Sequence, residues 1–214
     1  MIELRQVSLT YNHNYLFRGL DFTINSGAKI LLNAASGTGK TSFFRLLLGF
    51  IQPIEGEVLY DGIKLSAETV KQIRRKIGYL SQDIDMPWGK VGEVVNQIFC
   101  YRYNKSLHAD HQKLFELIDF LELGKDVLEK NVEELSGGER QRLLLIILLL
   151  LDREVYLLDE PTSALDENLK MKVRDLFLSH SATVLVISHD KVWIDSKNLT
   201  VLNWTENAGW KDGQ

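Results

Sequence analysis

An α/β chain built on a mostly parallel sheet is predicted by three observations. Short continuous apolar runs at Ile30-Leu31-Leu32, Val155-Tyr156-Leu157-Leu158 and Thr183–Ile187 have the pattern of strands buried on both faces. Helical patterns separate these runs, and helix–strand alternation implies a parallel sheet covered by helices on both faces. A glycine-rich turn, Ser36-Gly37-Thr38-Gly39-Lys40-Thr41-Ser42, directly follows the first run and leads into a helix. Such a turn is a place to hold phosphate.

The elements follow in order. Ile2–Leu9 and Asp21–Ile24 alternate apolar and polar residues, the period of half-buried strands. Helix is expected from Thr41 to about Phe50. Gly56–Tyr60 reads as a strand entering a turn at Asp61-Gly62, and Ile77–Leu80 as another short strand. From Val91 to about Leu123 the pattern is helical, with Leu114, Leu117, Ile118 and Leu121 on one face. After Gly137 the order is helix, strand (Val155–Leu158), helix (Asp166–Leu178), strand (Thr183–Ile187), helix and strand (Leu199–Leu202). Residues from about 83 to 135 read as an inserted helical subdomain, and Thr205–Gln214 as a frayed tail.

Composition bounds the function. The 214 residues, 45% hydrophobic and 25% charged with three Pro, suit a soluble globular chain able to bury a sizeable core. A net charge of −4 argues against a basic surface for nucleic acid. The single Cys100 allows no internal disulfide, and the first residues lack a secretory leader, so the cytosol is expected. Leu143–Leu151 is apolar for nine residues, far short of the roughly 20 that cross a bilayer. A helix apolar on all sides belongs in a protein core.

Three motifs carry the chemistry. In the phosphate loop, glycines let backbone N–H groups converge on an anion and the helix N-terminus adds positive potential. Lys40 is suited to the β- and γ-phosphates and the Thr41 hydroxyl to Mg²⁺. The loop begins with Ala34-Ala35, so Ala stands where this motif has its first glycine. Asp159 and Glu160 end an apolar strand, where ligands of parallel sheets bind. Leu135-Ser136-Gly137-Gly138-Glu139 opens a helix with a hydroxyl and glycine amides, a second place for an anion.

Taken in this order, these motifs resemble the ATP-binding cassette (ABC) family, over about residues 1 to 204. The resemblance implies one P-loop ATPase domain with an antiparallel β subdomain beside the parallel core, and ATP and Mg²⁺ as ligands. It implies that Ala35, Ser36, Gly37, Thr38, Gly39, Lys40, Thr41 and Ser42 hold phosphate and that Tyr11 stacks on adenine, a role Tyr15 or Phe17 could also fill. Asp159, Thr41 and Gln82 would hold Mg²⁺, Glu160 would act as general base, His189 in Ser188-His189-Asp190 would contact the γ-phosphate, and Gln82 would link the site to the helical subdomain. Ser136, Gly137, Gly138 and Glu139 would face the phosphate loop of a second cassette, so that a homodimer or heterodimer encloses two ATP. Ser163-Ala164-Leu165-Asp166 resembles the loop that crosses that interface.

The activity this implies is ATP hydrolysis driving transport through a separate integral membrane subunit, from the cytoplasmic face of the membrane. Asp83–Trp88 would receive that subunit's helix, with Met86 and Trp88 as apolar anchors or as core of the helical subdomain. The sequence motifs around Ser163–Glu167 and Ser188–Lys191 are similar to those of metal-ion exporter cassettes. The alternative is a non-transport ATPase of the same family acting on nucleic acid or ribosomes. Members that act on DNA carry long coiled coils between the phosphate loop and the Ser136 motif; the roughly 95 residues here lack sustained heptads.

Overall fold

The computed structural model describes residues 1–11, 14–33, 38–83, 85–101, 104, 110–205 and 209–212. In chain order these form β1 (Ile2–Tyr11), β2 (Asn14–Ile24), β3 (Lys29–Asn33), α1 (Lys40–Leu47), β4 (Glu55–Tyr60), β5 (Ile63–Lys64), α2 (Val70–Arg74) and β6 (Ile77–Leu80). There follow α3 (Val91–Cys100), α4 (His111–Phe120), two short 3-10 turns, α5 (Gly137–Leu151), β7 (Val155–Asp159), α6 (Glu167–Ser179), β8 (Thr183–Ile187), α7 (Lys191–Ile194), β9 (Thr200–Thr205) and β10 (Gly209–Asp212).

Two sheets result. One is antiparallel in the order β2-β1-β4-β5; the other runs β10-β9-β3-β8-β7-β6 and is parallel from β9 to β6. Both faces of the parallel strands are buried, which explains their unbroken apolar runs. Leu32, Leu157, Leu185 and Ile187 pack with the antiparallel sheet and α1, while Leu31, Leu158, Val184 and Val186 pack with the helical side. The apolar stretch Leu143–Leu150 of α5 lies in that second cluster with only Leu144 less than fully buried, as a core helix requires.

Four differences from the sequence expectation have local causes. Strand β2 starts at Asn14 because bulges at Gln6 (φ 50°) and Gly19 (φ 58°) shift the β1–β2 register and break the period of two. Helix α1 stops at Leu47, since Gly49 takes a left-handed φ of 67° and Phe50 N–H returns to the Arg45 carbonyl at 2.8 Å. The helical stretch expected from Val91 to about Leu123 holds two helices among the described residues, α3 and α4, and the second begins where the Asp110 carboxylate caps the Lys113 N–H at 3.0 Å. The expected frayed tail instead contains β10, paired antiparallel to β9 from Gly209 opposite Thr205 to Asp212 opposite Leu202.

Candidate functional site

The carboxyl ends of β6, β7 and β8 and the start of α1 converge on one cleft of about 500 Å³. Its walls include Tyr11, Leu16, Gly39, Lys40, Thr41, Ser42, Gln82, Asp159, Glu160, Ser163, Ile187 and His189. Parallel strands deliver these groups together because each loop leaves the same end of the sheet. Of the residues expected to hold phosphate, Gly39 to Ser42 line the cleft and Thr38 just precedes them; Ala34, Ala35, Ser36 and Gly37 lie outside the described residues.

Gly39 is fixed by geometry. Its φ of 97° is left-handed, and a Cβ there would stand 3.0 Å from Leu16 Cδ1. The turn delivers Lys40 into the cleft, where Nζ lies within hydrogen-bond distance of His189 Nε2 at 2.9 Å. Burial lowers the Lys40 ammonium from its ordinary value, opposed by the charges of Glu160 and Asp159. Tyr11 is 64% exposed at the rim, a face free for stacking. Phe17 is fully buried against Phe43, and the Tyr15 ring is covered by Arg18 at 4.2 Å.

Asp159 and Thr41 are one oxygen pair: Thr41 Oγ1 donates to Asp159 Oδ2 at 3.0 Å. These are hard oxygen donors, with the Gln82 amide also in the cleft wall. Among the described residues no cluster of three or more His, Cys, Asp or Glu forms a metal cage. One carboxylate and one hydroxyl fit an ion that completes its shell with water and phosphate oxygens, as Mg²⁺ does.

The turns around the acid pair are tightly bonded. Glu160 has a left-handed φ of 49°; its N–H donates to the Ile187 carbonyl at 2.8 Å, and its carbonyl accepts from Gln141 Nε2 at 3.0 Å. The carboxylate accepts from Ser188 Oγ at 3.2 Å and from the His189 N–H at 3.4 Å. Asp190 ties the same turn to its neighbours, accepting from Thr162 Oγ1 at 2.5 Å and from Lys170 Nζ at 2.8 Å. Sequence reasoning missed Leu16 and Ile187 in the wall and Gln141 and Ser188 behind it, and it gave Ser163 a place in a loop crossing to a second cassette rather than in this wall. Gln141 did leave a signal, as a polar residue opening an otherwise apolar buried helix.

Ser136, Gly137, Gly138 and Glu139 are not brought into this cleft. They stand at the N-terminus of α5, where Ser136 and Glu139 form a reciprocal cap: the Ser136 N–H and Oγ donate to Glu139 Oε2 at 2.9 and 2.8 Å, and Glu139 N–H donates back to Ser136 Oγ at 3.3 Å. Those bonds hold the Glu139 carboxyl below its ordinary value. Gly138 is needed there, since a Cβ would meet the Ala164 carbonyl at 2.9 Å. Asp85, Met86 and Trp88 edge a separate hollow with Val132, Glu133 and Arg140. Met86 packs against the helical core, whereas Trp88 is 85% exposed.

One prediction follows from the Asp159 environment. Burial raises its carboxyl above the ordinary 3.8, partly opposed by the Thr41 hydrogen bond and reinforced by Glu160. The folded chain therefore keeps this proton to higher pH than the unfolded chain, and stability is lost as pH rises from 3.8 through the raised value. At neutral pH the buried charge is a burden. Asp159→Asn, which can still accept from Thr41, is expected to raise the ligand-free melting temperature in chelator by roughly 3 °C. A fall in melting temperature contradicts this account.

The "ABC transporter" family model matches residues 17–163. The chain is 32% identical over 200 residues to the energy-coupling factor transporter ATP-binding protein EcfA1 of Mycoplasmopsis synoviae (strain 53), covering 89% of this chain and 74% of the relative. It is 29% identical over 197 residues to the probable iron export ATP-binding protein FetA of Escherichia coli (strain K12), covering 89% and 85%. Among solved structures it is similar to the ATP-binding cassette MJ0796, dimeric in a post-hydrolysis state with ADP and Pi. There the TM-score is 0.82 at 26% identity, with 100% of this chain and 98% of that one covered.

Proposed function

This chain belongs to the ABC transporter family and is an ATP-hydrolysing transporter subunit, and on that premise we propose that two cassettes enclose two ATP between their clefts. The observation that carries the reading is the separation of Ser136–Glu139 from the cleft that holds Lys40, Asp159 and Glu160. An exposed, glycine-opened helix end suits phosphate held by another copy. Transporter relatives favour this over the alternative of an ATPase acting on nucleic acid or ribosomes.

In this reading Tyr11 stacks on adenine, and the amides at the start of α1 with Lys40 bind the β- and γ-phosphates. Thr41, Asp159 and Gln82 hold Mg²⁺, which when bound neutralises phosphate charge. Glu160 accepts a proton from water as the water oxygen bonds to the γ-phosphorus; the bond to the β–γ bridging oxygen breaks, and its electron pair leaves with ADP. His189 donates to a γ-phosphate oxygen, and Gln82 carries the change to the helical subdomain.

The deciding experiment is Mg²⁺-dependent ATP hydrolysis measured against protein concentration. Specific activity is expected to rise with concentration and then level off, as a site shared by two cassettes requires. Constant specific activity at every dilution, with the protein monomeric by sedimentation, overturns the shared site.

The membrane partner is proposed to be a separate integral subunit, with this chain held at the cytoplasmic face. No helix of the described residues is long and apolar enough to cross a membrane. The hollow beside Trp88 supports a docking role, because an indole this exposed adds little to the core. Trp88→Ala is expected to keep its melting temperature and ATP affinity and to lose roughly 30-fold or more in affinity for the membrane subunit. Unfolding of this variant, or unaltered co-purification, counts against the docking role.

A further inference from the structure

Glu160 is held from both ends by groups outside the cleft. Its left-handed φ of 49° is a conformation a glutamate seldom adopts, and it persists only where surroundings over-determine it. The surroundings here are specific. Gln141, 2% exposed, donates from Nε2 to the Glu160 carbonyl at 3.0 Å while its Oε1 accepts from the Ala164 N–H at 3.0 Å. Both ends of that amide are thus committed, and its orientation is fixed.

Ser188 acts on the side chain. It is 1% exposed, and its Oγ accepts from the Asp190 N–H at 3.1 Å, which leaves its proton for Glu160 Oε2 at 3.2 Å. The His189 N–H approaches the same oxygen at 3.4 Å. The other oxygen, Oε1, faces the cleft 3.8 Å from His189 Nε2. The two carboxylate oxygens therefore have different duties.

We propose that Ser188 and Gln141 are positioning residues for Glu160, Ser188 anchoring Oε2 so that Oε1 alone takes the proton from water, and Gln141 fixing the strained main chain. The proposal rests on Glu160 being the general base. Catalysis needs the accepting oxygen held within a fraction of an ångström, so the anchors should govern turnover more than nucleotide affinity.

The test is steady-state ATP hydrolysis by the full chain, at a concentration where specific activity has levelled off. Ser188→Ala is expected to lower kcat about tenfold, the scale of one hydrogen bond to a charged group, with KM for ATP within about twofold. Ser188→Thr, which restores the hydroxyl, is expected to recover most of the rate. Gln141→Met keeps the length and removes the amide's hydrogen bonds to Glu160, Ala164 and Ser163, and serves if Ser188→Ala does not fold; it too should lower kcat with KM little altered.

Single-turnover rates in a Glu160→Gln background supply the control. Adding Ser188→Ala or Gln141→Met there should have no further effect, because the anchors act through the carboxylate. Unaltered kcat in both single variants, a further loss in the double variants, or failure of Ser188→Thr to recover the rate at normal melting temperature overturns the proposal. Near-normal turnover by Glu160→Gln alone is a different result, and it defeats the assignment of the base itself.

Discussion

Glu160→Gln is expected to lower ATP turnover by roughly 10² to 10⁴-fold, the contribution of a placed general base, while ATP affinity stays within a few-fold of normal. The variant side chain has nearly the same shape, and its amide oxygen can still accept from Ser188 Oγ, so the fold of the turn should hold. What it lacks is the ability to take a proton from water. ATP held without hydrolysis should then hold two cassettes together, and light scattering with ATP should report a dimer where the nucleotide-free protein is mainly monomeric. Near-normal steady-state turnover refutes the assignment, and a monomer at saturating ATP contradicts the shared site.

Lys40→Ala should act on the earlier step. The Lys40 ammonium enters the cleft beside Thr41, Asp159 and His189, and in the proposed complex it is the side-chain cation on the β- and γ-phosphates. Hydrogen bonds to charged groups contribute about 1.5–3 kcal/mol, so the loss in ATP affinity should be roughly 10- to 150-fold. The melting temperature without nucleotide should hardly fall, because burial already disfavours the charged form in the folded chain. Equilibrium binding of a fluorescent ATP analogue checks the affinity, and an unchanged dissociation constant would remove Lys40 from the phosphate site.

The parallel core was legible because Ile30–Leu32, Val155–Leu158 and Thr183–Ile187 are buried on both faces and need no alternation to be recognised. The antiparallel hairpin was only half legible. The residues of Asn14–Arg18 belong to a strand, but the bulge at Gly19 puts them out of phase with Asp21–Ile24, and a period of two read along the chain cannot cross it. Strand β10 was missed because Gly209–Asp212 is too short to show alternation, and only its hairpin register against β9 marks it as a strand.

The site divides in the same way. Lys40, Thr41, Asp159, Glu160, Gln82 and His189 stood out because each follows a strand, and loops leaving one end of a parallel sheet must meet. Ser188 and Gln141 did not stand out, because their importance lies in what they touch. Gln141 is nineteen residues from Glu160 in sequence, and only the packing of α5 beneath β7 brings its amide to that carbonyl.

The pairing of β10 with β9 bears on how the protein behaves when crowded. A strand at the rim of an open sheet presents a row of unpaired N–H and C=O groups, which recruits any extended segment that drifts past. Here the rim beyond β9 is taken by the chain itself, in four successive pairs. The border of the sheet thereby moves outward to β10, a strand of only four residues, which offers few groups for another segment to pair with. Short edge strands blunt edge-to-edge pairing, so crowding is not expected to drive copies together along this rim.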